Sequence, residues 1–416
     1  MFAHMNALTV ISTDLITPLG AYLQLRERGR ASFLLESVEH GRLGRHSFVG
    51  CGSRLLDFRE AEGCALAMPV VGYLGYDHAA TLEPTVPLPQ AGRDLPESRF
   101  VAAETLVRFD HVLGMAEVLA GDPGEVADLL TGPLPAIEAR GDGTAGSTRR
   151  LPSRHDYERA VVAAKDHIRA GDAFQIVLSQ RAERPTSASA VALYRSLRRV
   201  NPSPYLFLLE LDGVALIGSS PETLVKAEGR AASLNPIAGT TRPGEGDAER
   251  LLASEKDRAE HVMLVDLGRN DLSRVCRPGT VRLARFLEPE RFSHVTHLVS
   301  EVVGELNEGV SHFDLLRACF PAGTVSGAPK VRAMQLISEL EGHRRGPYAG
   351  AVLYALPGEA LDACIAIRTI VLADGVALLQ AGAGIVADSE PAAEHEECLR
   401  KLAALETAID LAEARG

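Results

Sequence analysis

The chain contains no tryptophan, and only 5% of its residues are aromatic. Its six cysteines, Cys51, Cys64, Cys276, Cys319, Cys364 and Cys398, form no C-x-x-C pair, and several stand in apolar stretches. That spacing excludes a zinc or disulfide framework and suits reduced cysteine in a cytoplasmic protein. None sits in a G-x-C-x-G elbow, so no glutaminase-type thiol nucleophile is expected. No apolar run approaches about 18 residues, which excludes a transmembrane helix and a membrane partner. The opening MFAHMNALTV lacks a basic n-region and Asp14 interrupts the apolar stretch behind it, so no secretory signal is expected. Basic residues are in the minority, 43 against 55 acidic, for a net charge of −12. Nucleic acid is therefore not an expected partner, while a local basic pocket for a small anion stays open.

What is present is ordinary globular composition: 416 residues, 46% hydrophobic and 24% charged. The length allows two to four domains or one intertwined body. The composition excludes disordered, collagen-like and mucin-like chains. Residues 133–152 are rich in Gly, Pro, Thr and Ser and have no period. They are expected to link an N-terminal part, 1–132, to a more strongly patterned C-terminal part, 153–416. In the latter, Phe174, Ile176 and Leu178 alternate with Gln175, Val177 and Ser179. This predicts a strand with Gln175 opposite its aromatic and aliphatic face. GAVLYAL (350–356) and ACIAIRTIVL (363–372) suit buried strands, and VALLQAGAGIV (376–386) reads as a strand broken by two glycines. Helices are expected over 156–170 and 248–267, from about Ser326 to Glu341, and from about Pro391 to the C-terminus. Strands separated by single helices indicate an α+β fold with a large antiparallel or mixed sheet.

Several residues stand out chemically. Asp257 and Glu260 are three apart on one expected helix, and Glu394 and Glu397 three apart on another, so each pair shares a face. Brought together, the two faces would offer hard oxygen ligands to Mg2+. A solvated acidic face is the commoner reason for such a pair, and Lys401, four residues after Glu397, fits a surface ion pair. Arg368 lies in the apolar run CIAIRTIVL. A buried guanidinium needs an anion, either an internal carboxylate or a ligand carboxylate held by two parallel bonds. Gly382-Ala383-Gly384 and Gly239-Thr240 could admit a ligand to the backbone or mark bulges. His297 in HVTHLVSEV fits a site base or, more commonly, a satisfied core histidine. Ser326-Gly-Ala-Pro-Lys330, flanked by Thr324 and Tyr348, resembles an anion-holding helix N-terminus without the Walker spacing.

Longer motifs follow in order: DAFQIVLSQR (172–181), NPSPYLF (201–207), SSPETLV (219–225), PIAGT (236–240), AEHVMLVDLGRNDLSRVCRPGTV (259–281), FSHVTHLVSEVVGEL (292–306), ACFPAGTVSGAPKVRAMQLI (318–337), RGPYAGAVLY (345–354), AIRT (366–369) and QAGAGIVADSEP (380–391). LLES (34–37), RHSFVG (45–50) and VGYLGYD (71–77) precede them. Together they resemble the chorismate-utilising enzymes over essentially all of 153–410 and, with a shortened segment between the last two motifs, over the N-terminal part. The resemblance implies two large facing antiparallel or mixed sheets flanked by helices, with 1–132 a regulatory part integrated into the fold. It implies Mg2+ on the ring carboxylate of chorismate, Glu260 and Glu397 as direct ligands, and Asp257 and Glu394 as outer partners. Asp257 stands where the family usually has Glu. By the same match, Arg368 and Tyr348 hold the enolpyruvyl carboxylate, and Gly239, Thr240, Gly382, Ala383 and Gly384 donate to substrate. Thr324 and Lys401 line the pocket. Glu222 in SPETL matches the general acid and would need a raised pKa. His297 matches the residue that removes the C2 proton.

Within the family, water-activating members carry Lys where this chain has Gln175, and para-aminating members carry Lys where it has Ala238. Both positions favour ortho-amination by ammonia and loss of pyruvate, giving anthranilate for tryptophan biosynthesis. The alternatives are a relative that stops at aminodeoxyisochorismate and an aminodeoxychorismate-forming relative of folate metabolism. A catalytically dead homologue would have lost a metal ligand or the acid, yet Glu222, Glu260 and Glu397 are present. The missing cysteine elbow makes a partner glutamine amidotransferase the expected ammonia source. LLES and PSPY resemble the segments that hold tryptophan as feedback inhibitor, which nominates Ser37, Pro204, Tyr205 and Leu206, the last standing where Met is more usual.

Overall fold

The computed structural model of the chain describes residues 10–39, 42–135, 146–241, 244, 246–291 and 296–414. The opening nine residues, the middle of the expected linker, part of the TRPG run after PIAGT, the start of FSHVT and the last two residues lie outside them. Among the described residues the strands build one sheet of twelve and one of ten. Every pairing within them is antiparallel. The inner faces meet directly: Phe33, Phe207, Leu209 and Leu216 of the larger sheet pack with Val71, Tyr73, Val352 and Cys364 of the smaller. The outer face of the larger sheet is covered by helices Pro18–Leu25, Ala190–Val200 and Pro391–Glu413. That of the smaller is covered by Phe58–Cys64, Glu255–Ser273 and His312–Cys319. The result is the α+β layering of helix, sheet, sheet and helix, in which each apolar face is buried against another.

Strands from both ends of the sequence share each sheet. Ala31–Glu39 pairs with Tyr205–Leu211 in the larger, and Val70–Leu74 with Ala351–Leu356 in the smaller. Arg149–Leu151, inside the expected linker, adds a short strand beside Gln175–Pro185. No helix among the described residues is long and apolar enough to cross a membrane. The cysteines are unpaired, and all but Cys64 are buried.

Several elements differ from the sequence expectations. The 248–267 pattern is two helices, Asp247–Ala253 and Glu255–Ser273. Ser254 divides them, because its hydroxyl accepts the Asp257 N–H at 3.3 Å and caps the second. The helix expected from Ser326 begins at Lys330, since Gly327 and Ala328 pair with Ile176 and Gln175 instead. Phe174 precedes the strand Gln175–Pro185 and is 72% exposed, so it is not part of an inward face. VALLQAGAGIV is unbroken over Val376–Ile385 and pairs with Gln175–Pro185 without a register shift.

ACIAIRTIVL is not one strand. Ala360–Ile365 belongs to the smaller sheet and Thr369–Ala373 to the larger, with Arg368 between them at φ +51°. A second crossover mirrors it: Val214–Ser220 lies in the larger sheet, Thr223–Glu228 in the smaller, and Glu222 between. The two crossovers are bonded to each other. The Ile365 N–H donates to the Glu222 carbonyl at 3.0 Å, and the Ser219 N–H to the Arg368 carbonyl at 3.1 Å. Periodicity misses such a change of sheet because strands buried on both faces are apolar on either side of it.

One buried ion pair ties the layers together. Arg345 is 4% exposed. It donates to Glu341 at 2.6 and 2.9 Å and to the carbonyls of Val177 and Val325 at 2.8 Å each. Glu341 also accepts from the Ser179 N–H and hydroxyl at 2.8 and 2.7 Å. Burial alone would raise the Glu341 pKa, but the Arg345 charge and these hydrogen bonds outweigh it and hold the carboxyl below its ordinary value. Glu341→Gln keeps the shape and leaves Arg345 without its counter-charge, so it should lower the unfolding free energy by about 3–5 kcal/mol. Urea denaturation measures this directly; an unchanged midpoint would contradict the assignment.

Candidate active site

The paired crossovers put an acid and a cation side by side in the chain path. Glu222 is half-buried, and its pKa is pushed up to about 7: desolvation raises it, and the Thr324 hydroxyl and the Lys401 ammonium only partly offset it. Beneath Glu222 and Thr324 lies a small, partly open pocket that reaches Asn235 and Asp271. Arg368 is half-buried, and burial presses its pKa below the ordinary guanidinium value. The alternative left open by the sequence, an internal carboxylate, is not found: Arg368 has no acidic partner among the described residues. A non-glycine residue at φ +51° is also the kind of backbone outlier that collects at functional sites.

Lys401 and Thr324 act on Glu222, and Arg368 acts on His297. Gly382, Ala383 and Gly384 lie on the unbroken strand Val376–Ile385, so they do not mark a bulge. The two glycines make room instead. A Cβ on Gly382 would stand 2.7 Å from the Tyr348 hydroxyl, and one on Gly384 2.6 Å from the Gln175 amide nitrogen. Ala383 points to the opposite face, into a cluster with Tyr157 and Cys398. The Gly382 carbonyl accepts from Lys401 at 2.7 Å, and Lys401 pairs with Glu397 at 2.8 Å. On the other side Gln175 donates to Glu260 at 3.3 Å, while its buried Oε1 has no hydrogen-bond partner.

Gly239 does mark a bulge, with φ +68° and a register shift between Ala238 and Thr240. Its carbonyl lies 3.0 Å from His297 Nδ1. A carbonyl only accepts, so Nδ1 carries the hydrogen and Nε2 is the basic nitrogen of the neutral ring. Burial lowers the His297 pKa, and Arg368 adds to the effect against the Gly239 hydrogen bond. Thr240 lies opposite His297 across the strands, its side chain outside the described residues.

Asp257 and Glu260 share helix Glu255–Ser273, and Glu394 and Glu397 share Pro391–Glu413, all four half-buried. Among the described residues no group of three or more His, Cys, Asp or Glu side chains is clustered closely enough to hold a metal ion. The donor set is nevertheless the kind Mg2+ takes, since that ion is bound by one or two carboxylates together with water and substrate oxygens.

The segments nominated for an inhibitor meet at strand level. Tyr205 lies opposite Ser37 and Leu206 opposite Glu36, so LLES is a strand. The Tyr205 hydroxyl bonds Thr223 at 2.8 Å and Asp362 at 3.1 Å, and Lys226 lies 5.4 Å from its ring centre. Sequence reasoning missed Arg345 and Glu341, which hold Tyr348 in place. Arg345 stands in the quoted RGPYAG motif, but a single Arg in a loop gives no sign that it is buried.

A family model described as chorismate binding enzyme matches residues 30–407. Anthranilate synthase component 1 of Thermus thermophilus is 43% identical, over 96% of this chain and 97% of that protein. Its counterpart in Streptomyces coelicolor is 46% identical, over 96% and 88%. The crystal structure of anthranilate synthase component I from Streptococcus pneumoniae superposes with a TM-score of 0.77 at 33% identity, covering 96% of this chain and all of that one. The menaquinone-specific isochorismate synthase of Escherichia coli, at 21% identity, a TM-score of 0.77 and 97% coverage of this chain, shares the fold.

Proposed function

The chain belongs to the chorismate-binding enzyme family, and from that membership we propose that it is the synthase subunit that converts chorismate and ammonia to anthranilate and pyruvate, the first committed step of tryptophan biosynthesis. The observation that supports this reading is the crossover pair: an acid with its pKa raised to about 7 on one segment, and on the segment bonded to it a guanidinium with no acidic partner among the described residues. Arg368 and Tyr348 take the enolpyruvyl carboxylate. Gly239 and Thr240, with the strand Gly382-Ala383-Gly384, fix the ring. Glu260 and Glu397 would hold Mg2+, with Asp257 and Glu394 as outer partners, and the ion would neutralise the ring carboxylate.

Glu222 donates its proton to the C4 hydroxyl, which leaves as water, with Thr324 and Lys401 beside it. Ammonia forms the C2–N bond and gives up one proton. Gln175 has no basic group to activate water, but its unpartnered Oε1 can accept an ammonia N–H and aim the lone pair. His297 then takes the C2 proton on Nε2, the C3–O bond breaks, and the group leaves as enolpyruvate, which takes up one proton at its methylene carbon to become pyruvate. The neutral, oriented imidazole favours completion of this elimination over a product that stops at aminodeoxyisochorismate. Ammonia comes from a partner amidotransferase subunit in the cytoplasm.

The test is direct. Chorismate, ammonium and Mg2+ should give the fluorescence of anthranilate from the purified chain, against a background kept low by the absence of tryptophan. Glutamine in place of ammonium should give none until the amidotransferase is added. No anthranilate from ammonium would overturn the reading.

The role of Glu222 has its own signature. A donor whose pKa is raised to about 7 is active below that value, so kcat/KM, which reports the free enzyme, should fall as pH rises through about 7. Glu222→Gln should lower kcat by about 10²–10⁴-fold and remove that limb from the profile.

Tryptophan would inhibit by binding between Ser37, Pro204, Tyr205 and Leu206. This joins the N-terminal part to the catalytic part and must favour an inhibited arrangement over the active one. Ser37→Arg should fill the space and abolish inhibition without changing turnover. Full wild-type activity at millimolar tryptophan would rule out the site.

A further inference from the structure

The pocket beneath Glu222 and Thr324 leads away from the groups that hold substrate, and of those groups only Glu222 and Thr324 line it. Asn235 and Asp271 line it farther along, between apolar walls that include Leu234, Leu264 and Leu267. Its free space, about 50 Å³, has room for roughly one or two water molecules and for no larger ligand. The polar groups around it want partners. Thr324 Oγ1 is buried, and although it acts on Glu222 it has no partner at hydrogen-bond geometry. The Asn235 amide has no hydrogen-bond partner among the described residues. Asp271 accepts from Lys330 on Oδ2 at 2.8 Å, and its Oδ1 has no donor among the described residues. A space of this size with several such neighbours meets the requirement for bound water.

Asp271 stands in the GRNDL run of the sequence and Lys330 at the end of SGAPK, and neither has a part in the chemistry above. Lys330 also donates to the Cys319 carbonyl at 3.3 Å, which fixes the pair against the pocket wall. The Asp271 side chain is 8% exposed, so it still touches solvent. Burial raises its pKa against the charges of Lys330 and Arg274, which brings its protonated form within easier reach. The Cys319 thiol also faces Asp271, and burial pushes that thiol up and keeps it neutral. Asp271 and Glu222 do not shift one another, so they are too far apart for direct transfer of a proton.

This inference rests on the reading of Glu222 as the general acid. Each turnover then leaves Glu222 as a carboxylate that must regain a proton before the next. We propose that Asp271 returns this proton through water held in the pocket by Asn235 and Thr324. One O–H bond breaks at Asp271, one forms at Glu222, the water between them gives and takes one proton, and Asp271 regains its own from solvent. Lys330 stays an ammonium throughout and holds Asp271 in place.

Anthranilate formation by the full chain, followed in two regimes below pH 7, tests this. With enzyme in excess, Glu222 starts protonated and the single turnover needs no returned proton. With chorismate in excess, every cycle needs one. Asp271→Asn and Asn235→Leu should each complete the single turnover at the wild-type rate. Each should lower steady-state kcat about tenfold with kcat/KM unchanged. Imidazole buffer, as an added proton donor, should relieve that loss, whereas slowed product release would not respond to it. Urea midpoints check folding, and Asn235→Leu leaves the Lys330 pair intact, so it carries the comparison if Asp271→Asn unfolds. An undiminished kcat, an equal loss in the single turnover, or a loss that imidazole does not relieve would overturn the proposal. No anthranilate from wild type in either regime would overturn the proposed function and this proposal with it.

Discussion

A guanidinium buried between two tyrosine rings sets much of this structure. Arg345 is enclosed by Tyr76, Tyr348 and Glu341, and its hydrogen bonds reach the strand at Val177 and the turn at Val325. A charge in such a place is tolerable only when its donors are met and a counter-charge is adjacent. Meeting them fixes the helix end at Glu341, the strand at Ser179 and the loop at Tyr348 relative to one another. Apolar packing alone would tolerate small slips at these contacts. A network of directional, desolvated hydrogen bonds does not.

The site then grows from two places where the chain leaves one sheet for the other. A strand end has backbone groups to satisfy, and the two crossovers satisfy one another through Glu222 with Ile365 and Ser219 with Arg368. The same pairing sets a carboxyl and a guanidinium on neighbouring segments without making them an ion pair. Burial shifts both toward their neutral forms. A direct salt bridge would have kept Glu222 ionised and Arg368 occupied, and neither group would then be ready for a ligand.

The two ends of the sequence are not separable in this arrangement. Ser37 reaches Tyr205 only because the N-terminal strand lies beside the catalytic one in the larger sheet. Tyr205 bonds Thr223 and Asp362 of the smaller sheet, close in sequence to Glu222 and to the Arg368 crossover. A ligand at the first pair thus has a short covalent and hydrogen-bonded path to the second.

Much was legible from residues alone. Apolar alternation marked the strand at Gln175, apolar runs marked those at Ala351 and Val376, and helical spacing marked Arg154–Arg169 and Pro391–Glu413, because those signals are local. The acid pairs, the isolated Arg368 and the motif order were also local, and they nominated the residues around the crossovers. Tertiary structure decided the rest. An apolar run looks the same whether it stays in one sheet or changes sheets, so Arg368 was read inside a strand that does not exist. The glycines at 382 and 384 are needed because Tyr348 and Gln175 approach from elsewhere in the chain. The pKa of Glu222 and the pairing of Arg345 depend on which groups share a desolvated space. No spacing along a sequence encodes that, because desolvation is a property of the packed assembly.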